Sequence, residues 1–458
     1  MKRVPLLGHA GLDEVFAWRP SGPVAIRHFL AEATALAACL PPGRHLLNVC
    51  QDRYHFAVGL AAGLLSGRIS LQPSSHSPET LRQIHAACPD VCCLCDGEFA
   101  SGDLPRLDFP ALAVPQGDFL RGAVDPEKVA KIPDVPADQP AIQVYTSGST
   151  GQPLPYRKSW GSLVRNARAE ASRLNVAGHA IVGTVPAQHM YGFESTVLLA
   201  LHGNAPFWSG KPFYPQDIVA ALAAVPPPRL LVITPFHLAA LLESGLELPA
   251  VDLLLSATAP LSDELASAAE SRFQAPLMEI YGCTESGQIA SRRTTAGPAW
   301  ELFADVRLEQ EGGLTFACGG HVEGRPALAD VIEILADGRF LLHGRDADLV
   351  NIAGKRTSLA YLNHQIATIA GVRDAAFYLP EAEAGAATGI TRLCAFAVAP
   401  GMEAPALLQA LRERIDPIFL PRPLFLVDHL PRNDVGKLPL TALQALHAAH
   451  AGKTHGRR

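Results

Sequence analysis

The chain has 458 residues, of which 48% are hydrophobic and 18% charged, with a formal net charge of −6. That composition is globular rather than disordered or fibrous, and the length exceeds one ordinary core, so two or three domains are expected. The negative balance and the lack of a dense Lys/Arg stripe point away from nucleic acid as a partner.

At the start, Lys2 and Arg3 precede only Val4-Pro5-Leu6-Leu7, far short of the apolar core of an export signal. The longest apolar stretch, 56–65, is broken by glycines and too short to span a bilayer, so it predicts a buried helix and no membrane insertion. From 31 to 73 the pattern alternates. A strand is expected over 45–50, a helix over 54–66, a strand from 69 to 72 and a helix over 78–87. The run Val91-Cys92-Cys93-Leu94-Cys95 follows Cys88 with the spacing C-x3-C-C-x-C, which lacks the paired C-x2-C of zinc sites. It is read as a buried strand in which cysteine acts as a small hydrophobe. Nine cysteines, expected to be reduced thiols, fit a cytoplasmic protein.

Further strands are expected over 141–144, 180–185, 229–234, 252–256 and 277–281, with helical segments between them. Alternation of this kind argues for mostly parallel sheets covered by helices. Residues 1–344 are therefore read as a large α/β domain. Beyond Arg345 the segments shorten, with helix signals over 359–369 and 404–415 and strand signals over 375–378 and 393–398. That suits a small α+β domain over 345–458.

Four segments carry chemistry. The first is Tyr145-Thr146-Ser147-Gly148-Ser149-Thr150-Gly151-Gln152-Pro153, which follows an apolar strand-like run. Its glycines let backbone N–H groups approach a charged ligand, and its hydroxyls add rotatable donors, a combination suited to a polyphosphate. It is not a Walker loop, because no Gly-Lys-[Ser/Thr] closes it. The others are Tyr281-Gly282-Cys283-Thr284-Glu285, then Gly344-Arg345-Asp346-Ala347-Asp348 leading into Gly354-Lys355-Arg356, and Leu430-Pro431-Arg432-Asn433-Asp434-Val435-Gly436-Lys437. Any one of them is weak evidence; four in this order and spacing are strong.

From about Leu47 to Leu440 the series resembles the ANL superfamily of adenylate-forming enzymes, which includes acyl- and aryl-CoA synthetases, adenylation domains and luciferases. The resemblance implies an AMP-forming acid–thiol ligase: a carboxylate attacks the α-phosphorus of ATP, pyrophosphate leaves, and a thiol then displaces AMP from the acyl-adenylate. It implies a large N-terminal domain, a small mobile C-terminal domain, ATP, Mg²⁺ and a phosphopantetheine thiol. Thr146, Ser147, Gly148, Ser149 and Thr150 are implied to hold the β- and γ-phosphates. Ser256, Ala257 and Thr258 occupy the adenine-edge segment, where the family has glycines. Tyr281 and Gly282 are implied to pack on adenine, Thr284 to donate to the α-phosphate, and Glu285 to bind the metal. Asp330 and Arg345 are implied at the ribose, Lys437 as the catalytic lysine, and His189, in Pro186-Ala187-Gln188-His189-Met190-Tyr191-Gly192-Phe193, as the gate of the acid pocket. Gly354-Lys355-Arg356 is implied to face the thiol donor after the small domain rotates.

The chain departs from the pattern at Leu154, where the family has a loop lysine that Lys158 is the candidate to replace. It departs also at Ala257, at Leu328-Ala329 before Asp330, and at the hinge residue Ala347. A degenerate, non-catalytic nucleotide-binding homologue would show such departures, but retention of Thr284, Glu285, Asp330, Arg345 and Lys437 argues against it. Glu194 is out of register with the aspartate that holds an α-amine, which points to an acid without one. The short chain resembles stand-alone AMP-ligases of aryl-polyene or xanthomonadin-type pigment pathways, which load a hydroxylated aryl acid onto an acyl carrier protein. The motifs do not separate a carrier protein from free CoA.

Overall fold

In the computed structural model, residues 2–73, 76–109, 125–147, 153–345, 349–352, 355–380, 393–433 and 436–454 are described. Short runs of apolar residues buried on both faces form parallel strands, because helices cover both sides of such a sheet. Six strands form one sheet in the order Pro153–Ser159, Pro140–Ser147, Ile69–Gln72, His45–Asn48, Val91–Cys95, Arg106–Asp108. All neighbours run parallel except the first pair, an antiparallel hairpin in which Pro153 stands opposite Ser147. The cysteine run is the buried strand expected, and burial pushes the Cys93 thiol up to about 12 and Cys95 to about 11. All nine cysteines are free.

A nine-stranded sheet follows in the order Glu301–Leu302, Gly287–Arg293, Leu277–Cys283, Leu253–Ser256, Arg229–Ile233, Ala180–Gly183, Phe207–Trp208, Val15–Arg19, Gly22–Ala25. The six strands from Leu277–Cys283 to Val15–Arg19 are mutually parallel and the outer ones antiparallel. One face packs Val182, Leu231, Ile233, Leu254 and Leu277 against Ile218, Leu222, Leu238, Leu241 and Phe273 from the covering helices. Among the described residues no helix is long and apolar enough to cross a membrane.

The chain divides into two compact units. One comprises Met1–Gly297, Glu301–Glu309 and Phe316–Pro326 and holds both large sheets; the other comprises Pro298–Trp300, Gln310–Thr315 and Ala327–Arg458. In the second unit, Asp374–Tyr378, Cys394–Val398 and Leu424–Leu426 form a three-stranded sheet. Its core joins Phe377 and Ala395 to Leu362 and Ile366 of helix Leu359–Ala367 and to Leu407 and Leu411 of helix Ala404–Arg412.

Expected and observed elements agree in kind, with shifted ends. The helix placed over 54–66 is Arg53–Leu65, because Asp52 accepts the N–H groups of Tyr54 (2.8 Å) and His55 (3.1 Å) and so sets its start. The strand placed over 141–144 extends to Pro140–Ser147, since the hairpin partner continues its ladder. That partner carries Pro153, Pro155, Arg157 and Lys158, a composition tolerated only at a sheet edge and invisible to a search for apolar runs.

Candidate active site

Three of the expected segments leave the same edge of the nine-stranded sheet, the carboxyl ends of its parallel strands, where open α/β sheets place ligands. Leu253–Ser256 and Leu277–Cys283 are neighbours, with Ser256 opposite Glu279. Past Ser256 the backbone turns through Thr258, whose φ of 82° lies in the left-handed region. The family's glycine would adopt that geometry freely; a β-branched threonine is strained there.

Past Ile280 the strand reaches half-buried Tyr281 and then Gly282. A Cβ on Gly282 would stand 2.2 Å from the Gly287 carbonyl oxygen, so only glycine fits. Thr284, Glu285 and Ser286 form the turn into Gly287–Arg293. The Ser286 hydroxyl receives the Cys283 N–H at 3.3 Å and donates to the Gly287 carbonyl at 2.8 Å. The Glu285 carbonyl accepts from the Lys158 ammonium at 3.0 Å, joining the hydroxyl-rich hairpin to this turn.

His189 begins a short helical turn, and its Nδ1 accepts the Tyr191 N–H at 3.2 Å. In the neutral ring the proton therefore sits on Nε2. The buried Tyr191 hydroxyl donates to the Leu255 carbonyl at 2.6 Å, tying this segment to the end of strand Leu253–Ser256, two strands away. A Cβ on Gly192 would meet the Pro186 carbonyl at 2.1 Å.

Within the hydroxyl-rich segment, Tyr145 accepts from the Gln143 amide at 2.7 Å. Thr146 and Ser147 are strand residues, opposite Leu154 and Pro153. Gly148, Ser149 and Thr150 lie outside the described residues.

Several interior residues at this edge carried no local sequence signal. Arg53 is 2% exposed, and its guanidinium donates to the carbonyls of Gly183 (3.0 Å), Val185 (2.8 Å), Trp208 (3.1 Å) and Gly210 (2.9 Å). Burial lowers it to about 10, with Asp52 opposing the shift. Two acids are buried on neighbouring helical segments. Glu170 accepts from the Ser195 hydroxyl at 2.6 Å, and Glu194 from the Asn166 amide at 2.7 Å. Desolvation pushes Glu170 up to about 8 and Glu194 to about 7, the latter opposed by Lys158. The side-chain amide of Gln288, next to the turn, lies 2.7 Å from the Ser195 hydroxyl and 3.0 Å from the Glu170 carboxylate.

In the second unit, Asp330 opens strand Asp330–Ile334 and stands opposite Arg345 in an antiparallel ladder. The two residues assigned to the ribose are thus brought together by strand register. Ala347 and Gly354 lie outside the described residues, while Lys355 and Arg356 are strand residues opposite Ile352 and Asn351. Lys437 is exposed at the end of a tight loop. Its N–H donates to the Asn433 side-chain oxygen at 2.9 Å, and its carbonyl accepts the Asn433 N–H at 2.8 Å. Arg432 anchors the loop, reaching Asp374 with two bonds of 2.8 and 2.6 Å and the Gly436 carbonyl at 2.9 Å.

Comparison with known proteins identifies the family. Residues 30–314 match the family described as AMP-binding enzyme. A 4-coumarate–CoA ligase of Rhodobacter capsulatus is 30% identical over 277 residues, covering 59% of this chain and 66% of that relative. A 4-chlorobenzoate–CoA ligase of Arthrobacter is 24% identical over 390 residues, covering 76% of this chain and 73% of the relative. The fold matches the o-succinylbenzoate CoA synthetase of Bacillus subtilis, solved with its acyl-adenylate, with a TM-score of 0.79 at 18% identity over 97% of this chain and 99% of that one. The chain therefore belongs to the AMP-binding enzyme family, and is an AMP-forming acid–thiol ligase of the ANL superfamily.

Proposed function

We propose that the chain activates an aryl carboxylic acid, of the hydroxybenzoate kind, and loads it onto the phosphopantetheine thiol of an acyl carrier protein, as aryl acid AMP-ligases of pigment biosynthesis do. A carboxylate oxygen attacks the α-phosphorus of ATP, the bond to the bridging oxygen breaks, and pyrophosphate leaves. The thiolate sulfur then attacks the acyl carbon, the carbon–oxygen bond to phosphate breaks, and AMP leaves.

Two anions meet in the first step, so the protein must neutralise charge and fix geometry. Thr146 to Thr150 hold the β- and γ-phosphates, and Thr284 donates to the α-phosphate. Tyr281, Gly282, Ser256, Ala257 and Thr258 frame the adenine; Asp330 and Arg345 take the ribose. His189 bounds the acid pocket and presents a ring N–H. Lys437 bridges the attacking carboxylate and the α-phosphate, delivered by a mobile domain of residues 345–458 that pivots at Ala347 on the body of residues 1–344. A turn carrying one half-buried carboxylate, with no three-ligand His/Cys/Asp/Glu cluster among the described residues, suits a hard cation that takes its remaining oxygens from the nucleotide. Glu285 is the residue to hold Mg²⁺, which supplies charge neutralisation at the phosphates. The nine free thiols support a cytoplasmic setting.

The observation that carries this reading is the shared strand edge from which His189, Ser256 to Thr258 and Tyr281 to Glu285 emerge. The relatives named for 4-coumarate and 4-chlorobenzoate support an aromatic acid. Their names also favour a second reading of the acceptor, free CoA. ATP–pyrophosphate exchange across a panel of aryl and aliphatic acids, followed by thioester formation with CoA or with a holo carrier protein, tests both. Exchange with no acid would refute the function, and CoA turnover without carrier loading would select the second acceptor.

A further inference from the structure

We propose that Lys158 is a positioning residue, whose ammonium holds the backbone of the turn carrying Thr284 and Glu285. The inference rests on the acid-activating function above and deepens it at the same site. Lys158 lies on the second strand of the hydroxyl-rich hairpin, opposite Ile142, and is 6% exposed. Its one hydrogen bond to the turn is to the Glu285 carbonyl, at 3.0 Å. A charged donor on a buried carbonyl is among the stronger hydrogen bonds a protein makes.

A buried ammonium needs a counter-charge. Glu194, 3% exposed and held by Asn166 at 2.7 Å, is a buried carboxyl whose charged form Lys158 favours against the desolvation that raises it. Glu194 also bounds the far end of the same turn. A Cβ on Gly287, whose φ is +76°, would stand 2.9 Å from a Glu194 carboxylate oxygen. At the near end, Gly282 leaves no room beside the Gly287 carbonyl. The turn is thus gripped by an ammonium at Glu285 and confined by close packing at both flanks. Leu154 occupies the position of the family's loop lysine, and Lys158 is directed instead at the chain that presents Glu285. Holding that backbone fixes where the Thr284 hydroxyl and the Glu285 carboxylate stand.

The test uses the full chain with Lys158→Met and Glu194→Gln combined, which removes the ammonium without leaving its partner charged and buried. Amide hydrogen exchange over residues 281–288 should accelerate at least about tenfold, the scale of one lost charged hydrogen bond. The Mg²⁺ concentration for half-maximal ATP–pyrophosphate exchange should rise about tenfold and kcat fall, with the KM for the acid changed less than about twofold. Lys158→Gln, which keeps a neutral donor on a shorter side chain, serves where the double variant does not fold, with the same expectations. A folded variant with wild-type amide exchange and wild-type Mg²⁺ dependence overturns the proposal. Wild-type protein that exchanges pyrophosphate with no acid refutes the underlying function instead, and amide exchange alone then judges the role of Lys158.

Discussion

Replacing Arg53 with methionine should destabilise this protein more than any single change at its surface. The guanidinium sits in the interior with four carbonyl partners, two on the stretch Gly183–Val185 and two on Trp208 and Gly210. Methionine keeps the length and most of the apolar stem, so the loss is chiefly of donors. Each bond from a charged donor is worth about 1.5–3 kcal/mol net, which for four bonds is a gross of about 6–12 kcal/mol. Burying the cation costs several kcal/mol in return, and its lowering to about 10 records that cost. The remainder is about 3–5 kcal/mol, the usual consequence of removing one side of a buried charged contact. At about 2–4 °C per kcal/mol for a large domain, the melting temperature should fall by about 10 °C. Because 183–185 leads directly into His189, the KM for the acid should also rise. Scanning calorimetry of both proteins, with and without ATP, reads the first effect and pyrophosphate exchange the second. A melting temperature within about 2 °C of wild type would refute the reasoning, since the loss of four bonds from one charged donor cannot be that inexpensive.

Other expectations follow from the same geometry. Glu170 and Glu194 are raised to about 8 and about 7 from an ordinary 4.5, so the folded chain keeps protons that the unfolded chain releases. Their stabilising contribution is complete below pH 4.5 and is lost as pH climbs through 7 and 8. Glu170→Gln should therefore flatten the decline of melting temperature with rising pH, and parallel curves for variant and wild type would contradict this. Thr258→Gly relieves a left-handed φ worth about 1–2 kcal/mol against an entropic penalty of about 0.5–1 kcal/mol, so the denaturation midpoint should hold or rise; a clear drop would show that the threonine side chain contributes more than its strain. Lys437→Ala should lower adenylation by about 10²–10³ while thioester formation from supplied acyl-adenylate survives, and equal survival of both half-reactions would remove Lys437 from its assigned role. Arg432→Met, which frees the loop from Asp374, should reduce adenylation in the same direction but less, whereas wild-type rates would show that the loop needs no anchor.

Much of this molecule was legible in order along the chain. Apolar runs such as Leu253–Ser256 and Val91–Cys95 specify buried strands whatever surrounds them, because a continuous apolar segment has no stable place except between covering layers. The motifs at Tyr281 to Glu285 and around Lys437 are local too: Gly282 and the Asn433–Lys437 loop are shaped by neighbours a few residues away. The departures from family pattern at Leu154, Ala257, Leu328 and Ala347 could likewise be read directly, as could the odd count of cysteines with no zinc spacing.

What tertiary structure alone decided is where the charged residues went. Arg53, Lys158, Glu170 and Glu194 have charged side chains of the kind usually found at surfaces, and nothing in the sequence marks any of them as buried. Their burial depends on partners brought together from distant segments: Arg53 with the strand ends near Gly183 and Trp208, Lys158 with Glu285, and Glu170 with Ser195, which Gln288 also reaches. Even Asp330 and Arg345 became a pair only through strand register. Apolar burial is favourable almost anywhere a core exists, so it can be foretold from composition and period. Burying a charge is favourable only where specific partners already stand, and no local stretch of sequence records where those partners will be.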